Sequence, residues 1–193
     1  MSDTALAHYT STGLDSRKIA FWTFLGSECL LFGTLISTYL VYHGKSVAGP
    51  TTEILNIPLT SVSTFVLLMS SLAMVLGLAA VSRGDALFAR VWLATTALLG
   101  SMFLGFQAYE FTHFVHEGLT LQTSLFGSTF FVLTGFHGGH VFVGVLWLLT
   151  LLVRSFQGKL GPDKTLQVEL AGLYWHFVDV VWIVIFTVVY LLR

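Results

Sequence analysis

His137 and His140 stand three residues apart in "GFHGGH", inside a stretch from Leu125 to Val153 that carries no Asp, Glu, Lys or Arg. A second pair, His176 and Asp179, has the same spacing in "YWHFVD", and Glu28 stands alone among apolar residues in "GSECLLFG". Residues three apart share a helical face. Neutral imidazole is a common metal or haem ligand, and a carboxylate can orient it from behind. The same residues suit a second use. Glycines 135, 138 and 139 would let a neighbouring helix come close while the imidazoles hydrogen-bond across the interface, which is the commoner employment of buried polar groups in membrane bundles. A stacked two-haem cytochrome would need histidines about four turns apart on one helix, and no helix here supplies them. A single haem between His137 or His140 and His176 stays open at this point.

The elements that hold these residues must lie in lipid. Of 193 residues 55% are hydrophobic and only 10% charged, and the mean hydropathy of +0.82 is far above that of a soluble domain. The net charge is −1 with no block of like sign, so nothing points to nucleic acid. Cys29 is the single cysteine. It cannot form an internal disulfide or alone supply the thiolates of a dinuclear copper or cysteine zinc site, and is read as a buried apolar residue.

Residues 1–18 are polar, lack the basic start and apolar core of a cleaved signal peptide, and are read as a retained tail. A membrane domain over residues 19–193 follows, with five apolar runs at about 19–42, 58–81, 91–109, 125–153 and 170–192, each long enough to span roughly 30 Å of hydrocarbon. The runs are continuously apolar rather than alternating, which excludes a β-barrel. The expected fold is all-α, a bundle of five transmembrane helices.

Short loops make neighbours antiparallel, and basic residues set the orientation. Arg17, Lys18, Arg83, Arg90, Arg154, Lys159 and Lys164 fall on one side, against Lys45 and Arg193 on the other. The amino terminus is therefore expected inside and the carboxyl terminus outside. Helical rise then places Glu28 and Asp179 about 13 Å from the inner edge and His137 about 12 Å from it, so the three share one plane. A charge at that depth costs a few kcal/mol or more, so such residues face a partner or a cavity rather than lipid. At least one imidazole is expected within hydrogen-bonding reach of a carboxylate.

Other candidates are weaker. Glu110, His113, His116 and Glu117 gather near the outer end of the third helix, where a cation site competes with ordinary solvation of a wet loop. Trp22, Trp175 and Trp182 are expected to pack or to anchor at the membrane interface. No nucleophilic triad, phosphate loop or paired catalytic carboxylate is visible.

Three stretches together carry a family resemblance: "FWTFLGSECLLFGTLISTYLVYH" on the first helix, "FGSTFFVLTGFHGGHVFVG" on the fourth and "LYWHFVDVVWIVIFTVVYL" on the fifth, with "FQAYEF" on the third. The chain resembles subunit III of the haem–copper respiratory oxidases, in order, from about Lys18 to Arg193. The resemblance implies a short, five-helix bacterial form of the cytoplasmic membrane, lacking the first two helices of the seven-helix form. In that longer form those two helices make one arm of a cleft that holds phospholipids, so lipid binding here depends on another chain supplying the arm. The resemblance also implies no haem, copper or catalytic residue in this chain. Haems and copper belong to the partner subunits I and II, and this chain would pack on subunit I, stabilise the catalytic site and assist proton uptake. Glu28 matches the family's buried carboxyl that reacts with carbodiimide. Glu110, His137, His140, His176 and Asp179 would be buried polar residues of structural use. Cytochrome c is the favoured electron donor and quinol the alternative; a nitric oxide reductase accessory protein and a single-haem cytochrome b are more distant ones.

Overall fold

The computed structural model describes residues 15–45 and 55–192, so most of the polar tail and Arg193 lie outside the described residues. Five long helices carry the described chain: α1 Ser16–Tyr42, α2 Ile57–Ser82, α3 Ala86–His116, α4 Leu125–Phe156 and α5 Thr165–Phe186. A 3-10 turn at Pro162–Lys164 leads into α5, and π-type winding at Thr187–Leu191 continues it. All five are long and apolar enough to cross a membrane, as the hydropathy predicts.

The helices run past their apolar stretches because polar residues cap them in the aqueous zones. The side chain of Asp85 accepts a hydrogen bond from the Phe88 amide at 3.1 Å, and Ser124 accepts from Gly127 at 3.0 Å, each satisfying a free amide of the first turn. At the far ends, Gly84 and Gly158 follow α2 and α4 at φ of 75° and 69°. A left-handed residue there lets the chain reverse at once, and a side chain at that φ would be strained.

The two central helices, α4 and α5, pack against each other. Helix α2 packs on α5, α3 packs on both α2 and α4, and α1 lies against α4 and α5. Thus α4 and α5 meet inside the bundle and expose opposite sides: α4 between α1 and α3, α5 between α1 and α2. Small residues decide how close the helices come. The fully buried Trp175 of α5 lies so near Gly100 of α3 and Gly144 of α4 that an added Cβ would stand 2.5 Å and 2.8 Å from its ring atoms. Its indole N–H donates to Ser70 of α2 at 2.9 Å, so one side chain joins four helices.

Helix α1 is the outlier, with 11% of its span buried against 50% for the span that includes α5. Its inward stripe is Leu25, Phe32 and Tyr39, spaced seven apart. Cys29 falls off that stripe and is exposed. The expectation that it is buried is therefore corrected, because a helix touching its neighbours along one narrow seam leaves most of its circumference open.

Candidate functional site

Each helix pair that packs is also joined by at least one polar contact, and these contacts contain most of the residues singled out by type. At the α1/α4 seam His140 Nε2 lies 3.0 Å from Glu28 Oε2, while its Nδ1 lies 2.8 Å from the Phe136 carbonyl. Both ring nitrogens are thus used. Phe32 covers the pair, with its ring centroid 5.0 Å from that of His140. Lower on α1, Lys18 Nζ donates to Glu169 of α5 at 2.6 Å. These two contacts fasten the least buried helix to the bundle.

The α2/α5 seam is built of hydroxyls. Ser70 accepts from Trp175, Thr64 accepts from the Trp182 indole at 2.9 Å, and Ser71 Oγ stands 2.7 Å from His176 Nδ1. Between α2 and α3, Thr60 donates to the carboxylate of Glu110 at 2.6 Å. Between α3 and α4, Gln107 donates to the Thr134 carbonyl at 2.7 Å and its amide fills the space beside Gly138. Tyr174 of α5 donates to the His140 carbonyl of α4 at 3.1 Å. In hydrocarbon an unsatisfied polar group has no water to turn to, so such bonds hold the helices in register.

Two residues stand apart. His137 is fully buried, and neither ring nitrogen is hydrogen-bonded among the described residues. Its ring stacks on Trp182 at 4.8 Å and meets the edges of Phe103 and Phe32 at 5.8 Å and 6.4 Å. The fourth-helix histidine expected in the polar plane is therefore packed in an aromatic box, and the imidazole that reaches a carboxylate is that of His140, one turn away. Asp179 is 3% exposed, and its oxygens make no hydrogen bond within 3.5 Å among the described residues; the hydroxyl beside it is that of Ser71.

Two further expectations need correction. Of the three glycines beside the histidines only Gly138 takes a close neighbour; Gly135 and Gly139 have nothing within 4 Å of a built Cβ. They floor an apolar groove of about 790 Å3 on the outer side of α4, walled by Phe24, Phe131, Phe136 and Trp147. The outer cluster on α3 also comes apart. Glu110 turns inward and is 5% exposed, because it shares the inner stripe with Phe103, Gln107 and Phe114, whereas His113, His116 and Glu117 are exposed. They lie close in sequence, but Glu110 faces the bundle whereas His113 and His116 turn progressively toward its open side in the last helical turn, and Glu117 lies past the end of the helix.

The imidazoles face different ways: His140 toward α1, His176 toward α2, and His137 into the rings of α3 and α5. No three His, Cys, Asp or Glu side chains among the described residues gather as a metal site requires. Sequence reasoning missed Thr60, Thr64, Ser70, Ser71 and Gln107. For Thr60, Thr64 and Ser70 the available signal is the recurrence of hydroxyls along one stripe of α2, with Ser63 between them, since hydroxyls and small residues mark helix contacts in membranes; Ser71 lies beside that stripe and Gln107 is on α3.

A multi-pass helical membrane protein whose buried polar groups join helix to helix is the class that fold and site define. Comparison with known sequences is specific: the profile of cytochrome c oxidase subunit III matches residues 2–193. A cytochrome c oxidase subunit 3 from Bacillus sp. (strain PS3) is 43% identical over 178 residues, covering 92% of this chain and 86% of the relative. A probable quinol oxidase subunit 3 from Staphylococcus saprophyticus is 42% identical over 178 residues, covering 91% and 89%. A quinol oxidase subunit 3 from Bacillus subtilis (strain 168) is 41% identical over 192 residues, covering 99% and 94%. The chain belongs to the cytochrome c oxidase subunit III family.

Proposed function

We propose that this chain is the non-redox third subunit of a proton-pumping terminal oxidase in a bacterial cytoplasmic membrane, with its amino terminus inside and its carboxyl terminus outside. It packs on the catalytic subunit I, within a complex that also holds subunit II and small subunits, and the haems and copper lie in those partners. The complex reduces oxygen to water, and this chain keeps its catalytic site stable over many turnovers and assists proton uptake. The observation that carries the reading is the family match over residues 2–193. Glu28, Glu110, His137, His140, His176 and Asp179 serve as buried polar residues that hold the bundle, a role supported by the contacts of Glu28 with His140, Glu110 with Thr60 and His176 with Ser71. Membrane phospholipid is the natural occupant of the groove over Gly135 and Gly139, whose lining is almost wholly apolar.

Cytochrome c is the electron donor of this reading. Quinol is the second reading, favoured by the names of the Staphylococcus saprophyticus and Bacillus subtilis relatives. Purification in mild detergent through a tag on this chain, followed by spectra and identification of the companion chains, tests both. Haem-bearing oxidase subunits that oxidise reduced cytochrome c are expected. A haem spectrum from the isolated chain would refute the non-redox reading, and quinol oxidation without cytochrome c oxidation would select the alternative. In the same complex Glu28→Gln should leave protons pumped per electron unchanged, since Glu28 lies mid-helix and bonded to His140 rather than at the aqueous edge.

A further inference from the structure

Thr60 has one hydroxyl hydrogen and two acceptors in reach. Its Oγ lies 2.9 Å from the Asn56 carbonyl, one helical turn back, and 2.6 Å from Glu110 Oε1 across the α2/α3 seam. With Glu110 as a carboxylate, which can only accept, Thr60 serves one of these oxygens at the expense of the other. With a proton on Glu110 both contacts become hydrogen bonds at once: the acid donates to Thr60, and Thr60 donates to Asn56.

The surroundings favour the second arrangement. Glu110 is 5% exposed and stands one residue beyond the apolar run 91–109, where the ends of several helices meet. Helix α2 brings Thr60 and has no titratable residue along its length. Helix α4 brings Phe130, whose ring packs on Phe111 and Phe114 of α3, and has no titratable residue between Leu125 and Phe136. The π-type end of α5 brings Tyr190, which has Thr60, Glu110 and the Tyr39 of α1 as neighbours. The nearest imidazole on that side, His43, packs on the Tyr39 ring. On α3 and just past it, His113, His116 and Glu117 are exposed. Among the described residues no ion pair includes Glu110. The groups that face it are hydroxyls and apolar rings, and a carboxylate buried without a counter-charge takes up a proton instead.

We propose that Glu110 is a protonated acid, and that its proton closes a pH-sensitive clasp joining α2 to α3 at their outer ends, outer in the orientation proposed above. Release of the proton to the water on that side leaves a carboxylate in its place. Thr60 must then turn from Asn56 to Glu110, and the charge faces only hydroxyls. The clasp weakens as the outer pH rises, because the closed state holds a proton that the open state gives up. The inference rests on the reading of Glu110 as a residue that holds the bundle, and adds what controls the hold.

The test uses the intact complex in mild detergent. In the infrared, Glu110→Gln should remove one protonated-carboxyl C=O band present at neutral pH, and Thr60→Val, which takes away the acceptor, should move that band to higher frequency. In thermal melting from mildly acidic to mildly alkaline pH, the unfolding equilibrium of the wild-type complex should rise by up to about tenfold more per pH unit than that of Glu110→Gln, which has no proton to lose. Loss of carboxylate bands in Glu110→Gln, with the carboxyl region unchanged, overturns the proposal. Equal pH dependence of the two proteins does the same. So does stabilisation of the wild type alone by sodium ions, which would put a cation where the proton is assigned. Should Glu110→Gln fail to accumulate, Thr60→Val decides by itself, and an unmoved carboxyl band counts against the clasp. Glu110→Leu that melts like the wild type at every pH would show instead that Glu110 does not hold the bundle, so the reading beneath this inference fails first.

Discussion

His140 Nε2 lies 3.0 Å from Glu28 Oε2 and so ties the outlying helix α1 to the central helix α4 near the midpoint of both. Both side chains are mostly shielded, at 19% and 16% exposure, and the imidazole is held from behind by the Phe136 carbonyl. A carboxyl in this position is explained by its partner. Removing the partner therefore has a definite consequence.

Replacing Glu28 by Leu strands His140 Nε2 in an apolar seam. The expected loss is about 1–2 kcal/mol, the cost of an unmet polar group tempered by the modest worth of hydrogen bonds in membranes. Glu28→Gln, which can still hydrogen-bond, should lose less than half of that. Reversible unfolding in mixed micelles, with denaturing detergent as titrant, reads the difference; equal losses for Leu and Gln would show that the contact does not hold α1.

Gly144 permits Trp175 to sit where it does. Alanine there would put a Cβ 2.8 Å from the indole ring, and the ring, fully buried and bonded to Ser70, has nowhere to retreat. Overpacking of this kind costs about 1–3 kcal/mol. Gly139→Ala, with nothing within 4 Å, should be neutral or better by up to about 1 kcal/mol, since alanine favours the helix. Thermal melting of the two variants side by side tests the contrast, and similar melting temperatures would contradict it.

Trp182 and Thr64 should couple. The indole donates to Thr64 at 2.9 Å while its face stacks on His137, so Trp182→Phe removes the bond and keeps a ring. A double-mutant cycle with Thr64→Val should return an interaction energy of about 0.6 kcal/mol, and no more than about 2 kcal/mol. A value near zero would mean that packing alone fixes α5 against α2.

The groove over Gly135 and Gly139 offers a chemical rather than a thermodynamic readout. Filling it with Gly135→Leu and Gly139→Leu together should reduce tightly bound phospholipid per complex, measured by mass spectrometry after washing. The fold should tolerate the change, because neither glycine has a neighbour within 4 Å. Unchanged phospholipid content would show that the groove is not where lipid is held.

Much of this protein is settled by sequence because the membrane as solvent leaves so few choices. With no water available to backbone groups, five continuous apolar runs can only be helices, and the cost of burying charge marks Glu28, His137, His140, His176 and Asp179 as residues that need company. The motifs around them were sufficient to reach the subunit III family. What composition and spacing did not reach is which partner each would have. His137 and His140 sit three apart on one helix, yet one is enclosed by Phe32, Phe103 and Trp182 while the other bonds to Glu28. Glu110 parted from His113 and His116 for the same reason. A helix presents a new direction every 100°, and only the positions of its neighbours give each direction a meaning. Those positions are fixed by close contacts such as Trp175 against Gly100 and Gly144, between residues far apart in the chain, and side-chain spacing along one helix carries no record of them.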